Sequence, residues 1–262
     1  MAGSLAERYA ARQIRGDRDY QEDACGVLDL TEPVPGAAEH TFMVLADGMG
    51  GHSNGATAAK LAVNAAARAY RKVPGGTLER LRLAVAEANN ALADAIAADE
   101  ALRDIGCTLV CVAVAENRIA WSSVGDSPLW LLRDGALRRL NADHSMVPVF
   151  AKLVEEGVLS AEDARTDPKR HVLRSAVTGE AIKFVDIAKE PVALQPGDVL
   201  VLASDGVLSL ADETIAQLVA DNLSVDPRTT VELMLDAVSA AGARNQDNTT
   251  VMILKPLANG DA

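Results

Sequence analysis

The feature that most constrains the fold is an apolar segment that ends in an aspartate followed by glycines. Residues 42–46 form a continuous apolar run, which is typical of a buried strand, and the run stops at Asp47. Glycines follow at positions 48, 50 and 51, where they allow the main chain to turn sharply and to approach a ligand closely. Because a sheet fixes the backbone of the strand, this pattern predicts a carboxylate held at a sheet edge.

Two further acids adjoin apolar runs in the same way. Residues 199–203 lead to Asp205, and the run 249–254 begins just after Asp247. If the last strand is antiparallel to the first, Asp47 and Asp247 lie at the same edge of one sheet. Three carboxylates brought together repel one another unless a cation lies between them. Because no Cys or His occurs at ligand spacing, this set of oxygen ligands favours a hard ion, Mg²⁺ or Mn²⁺.

Composition limits the class of protein. The chain has 262 residues, 49% of them hydrophobic, and neither a linker-like stretch nor a repeat, so we expect a single domain over residues 1–262. The net charge of −12 argues against a nucleic-acid partner. No apolar run reaches membrane-spanning length, and the N-terminus has no apolar targeting segment. Three cysteines without framework spacing indicate reduced thiols and a cytoplasmic location.

An arginine precedes two adjacent acids near the N-terminus. Arg18 is followed by Glu22 and Asp23, after which a strand is expected from residue 24. Such a group is often a surface ion pair that contributes little to stability. Alternatively, Arg18 binds a phosphate while the two acids hold metal-bound waters.

The order of elements predicts sheets covered by helices. Alanine-rich helical stretches over residues 54–70 and 77–99 precede a series of short strands between 107 and 140. Thr77, Ser160 and Asp212 are each expected to cap a helix. Asp126 lies in a break between two of these strands and reads, on its own, as a turn residue. Antiparallel hairpins combined with paired helices favour an α+β arrangement over a doubly wound parallel sheet.

Residues 144–185 are the least regular part, and we expect them to form a mobile flap subdomain. This segment contains the basic residues Lys169, Arg170 and His171, with Arg174 close by. Such a patch is either a solvated face or, near a phosphate site, a group that steers an anion.

In their order along the chain, these motifs resemble those of the metal-dependent protein phosphatase 2C family. The matching segments span nearly the whole chain: residues 18–23, 47–52, 106–108, 125–127, 143–144, 204–206 and 247–248. The Met-Gly-Gly-His that follows Asp-Gly is similar to the bacterial branch. The resemblance implies a four-layer α-β-β-α sandwich of two antiparallel sheets flanked by helices, with metal ions at one edge.

The resemblance also implies an activity and a set of roles. The activity is hydrolysis of phosphoserine and phosphothreonine in proteins, so phosphorylated targets of a serine/threonine kinase are the expected partners. Two metals would activate a water for direct attack without a covalent intermediate. The implied roles are a bridging acid for two Mn²⁺ or Mg²⁺ ions (Asp47), a backbone carbonyl ligand (Gly48), ligands of the other core ion (Asp205, Asp247), acids acting largely through metal-bound water (Asp23, Glu22), an acid of a third ion (Asp126) and a phosphate-binding arginine (Arg18).

The chain also departs from the family pattern. Many members outside bacteria carry, directly after Asp-Gly, a histidine proposed to protonate the leaving group, and this chain has Met49 there. The proton donor is then His52 or a metal-bound water. Pro128 occupies a position where arginine is common, and residues 176–179 differ from the usual Ala-Leu-Gly. A non-catalytic phosphoprotein-binding relative is the alternative function, but such relatives usually lose metal acids, and all of them are present here.

Overall fold

The β-strands form the central layers of the fold. The computed structural model describes residues 5–30, 40–50, 54–72 and 74–256. The strands within these ranges are β1 (Tyr9–Ile14), β2 (Ala24–Leu30), β3 (His40–Ala46), β4 (Gly48–Met49), β5 (Gly106–Cys107), β6 (Leu109–Ala115), β7 (Arg118–Val124), β8 (Leu129–Arg133), β9 (Ala136–Arg139), β10 (Asp186–Ile187), β11 (Val192–Ala193), β12 (Val199–Ala203) and β13 (Thr249–Leu254).

The helices lie between groups of strands along the chain. They are α1 (Leu5–Arg8), α2 (Asn54–Lys72), α3 (Thr77–Ala98), α4 (Val147–Glu155), α5 (Ala161–Thr166), α6 (Asp212–Ala220) and α7 (Pro227–Ala241), with short 3₁₀ helices at Glu100–Leu102 and Asp205–Ser209. Asp226 caps α7 by accepting a hydrogen bond from the Arg228 N–H at 2.7 Å, and Gly242 ends the helix at a φ of 60°.

Two antiparallel sheets account for most of the strands. The first has the order β1-β13-β12-β8-β9, and the second has the order β10-β7-β6-β3-β2, with β11 also paired to β7. A two-stranded ribbon, β4-β5, lies beside them. Every described pairing between these strands is antiparallel.

The alternation of side chains along β12 shows how the layers stack. Leu200 and Leu202 join the apolar core that also contains strands of the second sheet. Val199 and Val201 point the other way and join a second core with helices α6 and α7. Helices α2 and α3 pack against the second sheet. The predicted α-β-β-α sandwich is therefore confirmed.

Three expectations from the sequence were wrong in detail. Asp47 and Asp247 do not lie at the edge of one sheet, because β3 and β13 belong to different, facing sheets. Thr77 does not cap α3; it is the first helical residue, and Gly76 precedes it without a side-chain cap. Asp212 likewise lies inside the first turn of α6 instead of capping it. Adjacent polar residues compete for a cap, and the sequence does not decide between neighbouring positions.

The segment expected to be a flap contains α4 and α5 and is otherwise irregular. Ser160 caps α5, as predicted, by accepting a hydrogen bond from the Asp163 N–H at 3.0 Å. The mobility of this flap and the single-domain organisation stay predictions. Among the helices that the structure describes, none is long and apolar enough to cross a membrane.

Candidate metal centre

Four of the acids predicted to bind metal line one cavity of about 270 Å³, together with Arg18, Glu22 and Gly48. These acids are Asp47, Asp126, Asp205 and Asp247, and we call this part of the sandwich the acidic end. Strands β3, β7 and β12 end here, whereas β13 and β8 begin here. Because neighbouring strands are antiparallel, residues that follow one strand meet residues that precede the next.

A buried threonine holds the backbone of Asp47. The Thr108 hydroxyl accepts a hydrogen bond from the Asp47 N–H at 3.0 Å, and the Thr108 N–H donates to the Asp47 carbonyl at 2.9 Å. The same hydroxyl lies 2.7 Å from the hydroxyl of Ser127, which is next to Asp126. At Gly125 the φ is +103°, and an added Cβ would lie 2.6 Å from Thr108 Cγ2. Thr108 therefore sets two acid-bearing turns relative to each other.

Gly48 is a position of close backbone approach. A Cβ added there would lie 2.1 Å from the Gly55 carbonyl oxygen and 2.5 Å from that of Glu22. The Gly55 N–H, in the first turn of α2, donates to Glu22 Oε1 at 3.1 Å. The N-terminus of a helix favours a carboxylate at this point. A glycine is therefore required at position 48 for α2 to close against the cavity.

The Asn248 side chain joins the last strand to the N-terminal loop. Its Nδ2 donates to the Arg15 and Tyr20 carbonyls at 2.7 and 2.9 Å, and its Oδ1 accepts from the Glu22 N–H at 2.7 Å. Sequence reasoning noted Asn248 only as a neighbour of Asp247 and, like Thr108, gave it no role. The signal in the sequence was the position of this asparagine directly after the predicted ligand Asp247.

Asp23 lies behind the cavity and does not line it. It is buried, and its Oδ2 accepts hydrogen bonds from the hydroxyls of Ser204 at 2.8 Å and Thr250 at 2.7 Å. Its Oδ1 has no partner among the described residues. Burial raises the pKa of Asp23 to about 6, with the two hydroxyl donors opposing that rise.

Arg18 contacts one of the predicted metal ligands directly. Its Nη2 lies 2.5 Å from Asp247 Oδ2, and about half of the arginine side chain is exposed. The guanidinium therefore stands at the mouth of the cavity and is within reach of an anion that enters it.

Burial, together with the charges of neighbouring acids, raises the pKa of three acids at this end: Asp47, Asp126 and Asp205. Burial, followed by the charge of Asp205, raises the pKa of Asp47 well above its ordinary value. Burial and then Asp205 also raise the pKa of Asp126, to about 7. For Asp205 itself, burial and then the charge of Asp247 raise the pKa. A cation placed among these groups would remove this repulsion.

The residues present fit a hard divalent cation in chemistry, although not yet in side-chain arrangement. Within the described ranges, no three His, Cys, Asp or Glu side chains are arranged so that they could hold an ion as they stand. Asp205 Oδ1, however, is buried without a hydrogen-bond partner in the same ranges, and the lining acids supply only oxygen ligands. Ion binding therefore requires side-chain rotation on a backbone that is already fixed.

Other cavity residues bear on the proton donor. Met49 lines the cavity at the position of the family's histidine and has no proton to donate. His52 lies outside the described residues. The flap contributes His171 and Leu173 to the lining. The sequence placed His171 in a basic patch that could lie near a phosphate site, and it gave Leu173 no role.

The fold and the site define a helix-flanked double-sheet protein with an acid-lined cavity at one end of the sandwich. The family model of protein phosphatase 2C matches residues 20–246, and the chain belongs to this family. The resemblance found in the motifs is thereby confirmed.

Similar proteins include two curated bacterial phosphatases. The serine/threonine protein phosphatase PstP of Mycobacterium tuberculosis is 35% identical over 217 residues, which is 82% of this chain and 39% of that protein. The chain thus spans about two fifths of the length of PstP. The serine/threonine phosphatase stp of Listeria monocytogenes is 30% identical over 91% of each chain.

Solved structures give the same relationship. A crystal structure of M. tuberculosis PstP/Ppp has a TM-score of 0.76 at 32% identity and covers 94% of this chain and 97% of that one. The catalytic domain of PstP in complex with two manganese ions has a TM-score of 0.73 at 32% identity, covering 94% of this chain and 96% of that one.

Proposed function

We propose that this chain is a serine/threonine protein phosphatase that hydrolyses phosphoserine and phosphothreonine in proteins and depends on Mn²⁺ or Mg²⁺. The observation that carries the proposal is the cavity that gathers four carboxylates and Arg18 at one end of the sandwich. Membership of the protein phosphatase 2C family supports it, as do relatives named serine/threonine phosphatases over most of the chain.

We assign the metal-binding roles by the surroundings of each acid. Asp47 is repelled by four other aspartates, so it is the acid best placed to serve two ions. The Gly48 carbonyl would complete one site, Asp205 and Asp247 the other, and Asp126 a third ion. Divalent cations there would lower the pKa of a water and act as Lewis acids toward phosphoryl oxygens. Asp23 and Glu22 would act largely through water.

Arg18 is the proposed phosphate-binding residue. A guanidinium presents parallel N–H donors that match two oxygens of a phosphate. Its contact with Asp247 keeps it at the cavity mouth, where it would exchange a carboxylate for the phosphoryl group of the substrate. Positioning and charge stabilisation of this kind supply most of the catalysis in phosphoryl transfer.

The wider setting follows from the same proposal. The partners would be phosphorylated proteins that a serine/threonine kinase modifies, in the cytoplasm, with residues 1–262 acting as one catalytic domain. The net charge of −12 supports the absence of a nucleic-acid partner.

The test is turnover of a phosphothreonine peptide by the chelated protein before and after adding Mn²⁺ or Mg²⁺. We expect no turnover after chelation and recovery with either ion, because all-oxygen sites bind such ions reversibly. Full turnover after exhaustive chelation would exclude the metal-dependent mechanism. A lack of turnover at every metal concentration would instead favour a non-catalytic phosphoprotein-binding protein.

A further inference from the structure

The flap forms one wall of the acid-lined cavity. His171 and Leu173 line it together with Asp205 and Asp247. Leu173 is held there by an isolated antiparallel bridge to Ser145. With a volume of about 270 Å³, the cavity admits a side chain but no folded segment. The part of a substrate that flanks its phosphorylated residue therefore lies outside the cavity and passes the flap.

Next to this wall, the flap carries a cluster that we call the basic strip: Lys169, Arg170, His171 and Arg174. Three permanent cations thus occur within six residues of a chain whose net charge is −12. Lys169 is exposed, whereas Arg170 and Arg174 are partly buried. None of these three cations forms an ion pair with another described residue.

Three acids in or beside the flap have partners other than the side-chain cations of the basic strip. Asp143 pairs with Arg139 at 3.3 Å. Asp167 accepts a hydrogen bond from the backbone N–H of Lys169 at 2.7 Å. Asp186 accepts hydrogen bonds from two N–H donors, at 2.8 and 3.0 Å. No ion pair among the described residues therefore engages Lys169, Arg170 or Arg174.

Exposed apolar groups accompany the cations. The Arg174 guanidinium carbon lies 5.0 Å from the ring centroid of Phe184, and this ring is 43% exposed. Val172, which lies within the strip, is 53% exposed. A surface that combines cations with exposed apolar side chains suits an extended peptide better than it suits a small anion.

We propose that the basic strip selects substrates in which Asp or Glu residues flank the phosphorylated residue. This inference rests on the function proposed above. The chain carries a net charge of −12, so an acidic segment needs compensating cations within reach of the cavity. The strip includes His171 of the cavity lining, and none of its three permanent cations forms an ion pair with a described residue.

The test compares phosphothreonine peptides flanked by glutamates, by glutamines or by lysines, with p-nitrophenyl phosphate as a substrate that lacks a flank. The variant is Lys169→Glu/Arg174→Glu. The matched control is Arg68→Glu/Lys72→Glu, which makes the same change in net charge. Both control residues are exposed in the C-terminal half of α2, with Lys72 about 27 Å along the helix from Asn54.

We expect the wild-type protein to prefer the glutamate peptide, and this preference to fall as salt is added. In the flap variant, kcat/KM should fall roughly 10-fold for the glutamate peptide and rise for the lysine peptide. Turnover of p-nitrophenyl phosphate should be unchanged, and the control variant should behave as the wild type. The neutral variant Lys169→Gln/Arg174→Gln should change kcat/KM for each peptide in the same direction, by a smaller factor.

Equal losses on the glutamate and glutamine peptides, or a parallel loss on p-nitrophenyl phosphate, would overturn this inference while leaving the phosphatase function in place. If the wild-type protein turns over none of these substrates, the proposed function fails instead. Fluorescence anisotropy with the same labelled peptides then decides the inference: binding that favours the glutamate peptide and is lost in the flap variant supports it, and indiscriminate binding overturns it.

Discussion

The acidic end is fixed by hydrogen bonds between distant parts of the chain, whereas helix α5 of the flap is held by local ones. Thr108 reaches back 61 residues to Asp47, and Asn248 reaches back 226 residues to Glu22. In the flap, the contacts of α5 span three or four residues, as in the bonds of Ser160 to Asp163. A change at the acidic end therefore alters several segments at once, while a change in α5 stays local.

The largest expected effect is a difference in turnover between variants of two acids at the acidic end. Asp47→Asn should lower turnover by about 10³-fold or more, because it removes charge from two ion sites and misplaces the nucleophile. Asp126→Asn should regain much of its activity at high Mn²⁺, because occupancy of a weak site follows mass action. The measurement is turnover against Mn²⁺ concentration, with thermal unfolding as the folding control. Equal rescue of both variants would mean that Asp47 is not the bridge.

The next effect tests the contrast between long-range and local bonds with two Thr→Val changes. Thr108→Val leaves the Asp47 N–H without its acceptor, so unfolding free energy should fall by about 1–3 kcal/mol. Turnover should fall roughly 10-fold, because Asp47 is no longer positioned.

Thr166→Val in the flap is the matched control. Its hydroxyl is exposed and donates only to the Glu162 carbonyl, four residues earlier, so both quantities should stay near wild type. Denaturant unfolding and peptide turnover measure the pair. Similar losses in the two variants would contradict the contrast.

A smaller effect concerns pH in the chelated protein. The pKa of Asp126 is raised from 3.8 to about 7 and that of Asp23 to about 6. The folded state therefore holds protons that the unfolded chain has released. Their stabilisation is complete below pH about 4 and is lost as pH rises through 6 and 7.

This pH dependence is measured as the difference in Tm between Asp126→Asn and the wild-type protein. Because the amide does not ionise, the Tm of the variant should rise relative to that of the wild type as pH rises from about 4 to about 7.5. Saturating Mn²⁺ should reduce this gain, since the ion stabilises the charged acid. A Tm difference that does not vary with pH would show that Asp126 is not held protonated.

The smallest effect is expected at His52. If this residue were the general acid, His52→Ala would lower turnover of an alkyl phosphate by about 10²-fold or more. We expect a loss below about threefold on both an alkyl phosphate and p-nitrophenyl phosphate, because Met49 occupies the family's histidine position. A large loss confined to the alkyl phosphate would identify His52 as the donor.

The sequence predicted the strands and the acids at their ends because both follow local rules. Residues 199–203 read as a strand buried on both faces, and that is how β12 is packed. The position of Asp205 just after it followed directly.

What the sequence did not reveal depends on contacts made only after folding. Nothing near Thr108 indicates that its hydroxyl accepts from Asp47, and nothing near Asn248 indicates its bonds to the loop at residues 15–22. The distribution of β3 and β13 over two facing sheets was missed for the same reason. The apolar pattern of two strands does not indicate whether they pair within one sheet or lie in two facing sheets.

The amide of Asn248 also sets an order of events during synthesis. The loop that carries Arg18 and Glu22 is made early, but its anchor on the last strand is made more than two hundred residues later. Until that strand emerges from the ribosome and inserts between β1 and β12, the loop at residues 15–22 lacks its side-chain anchor and the site lacks Asp247. The site is therefore completed only in a late step of synthesis.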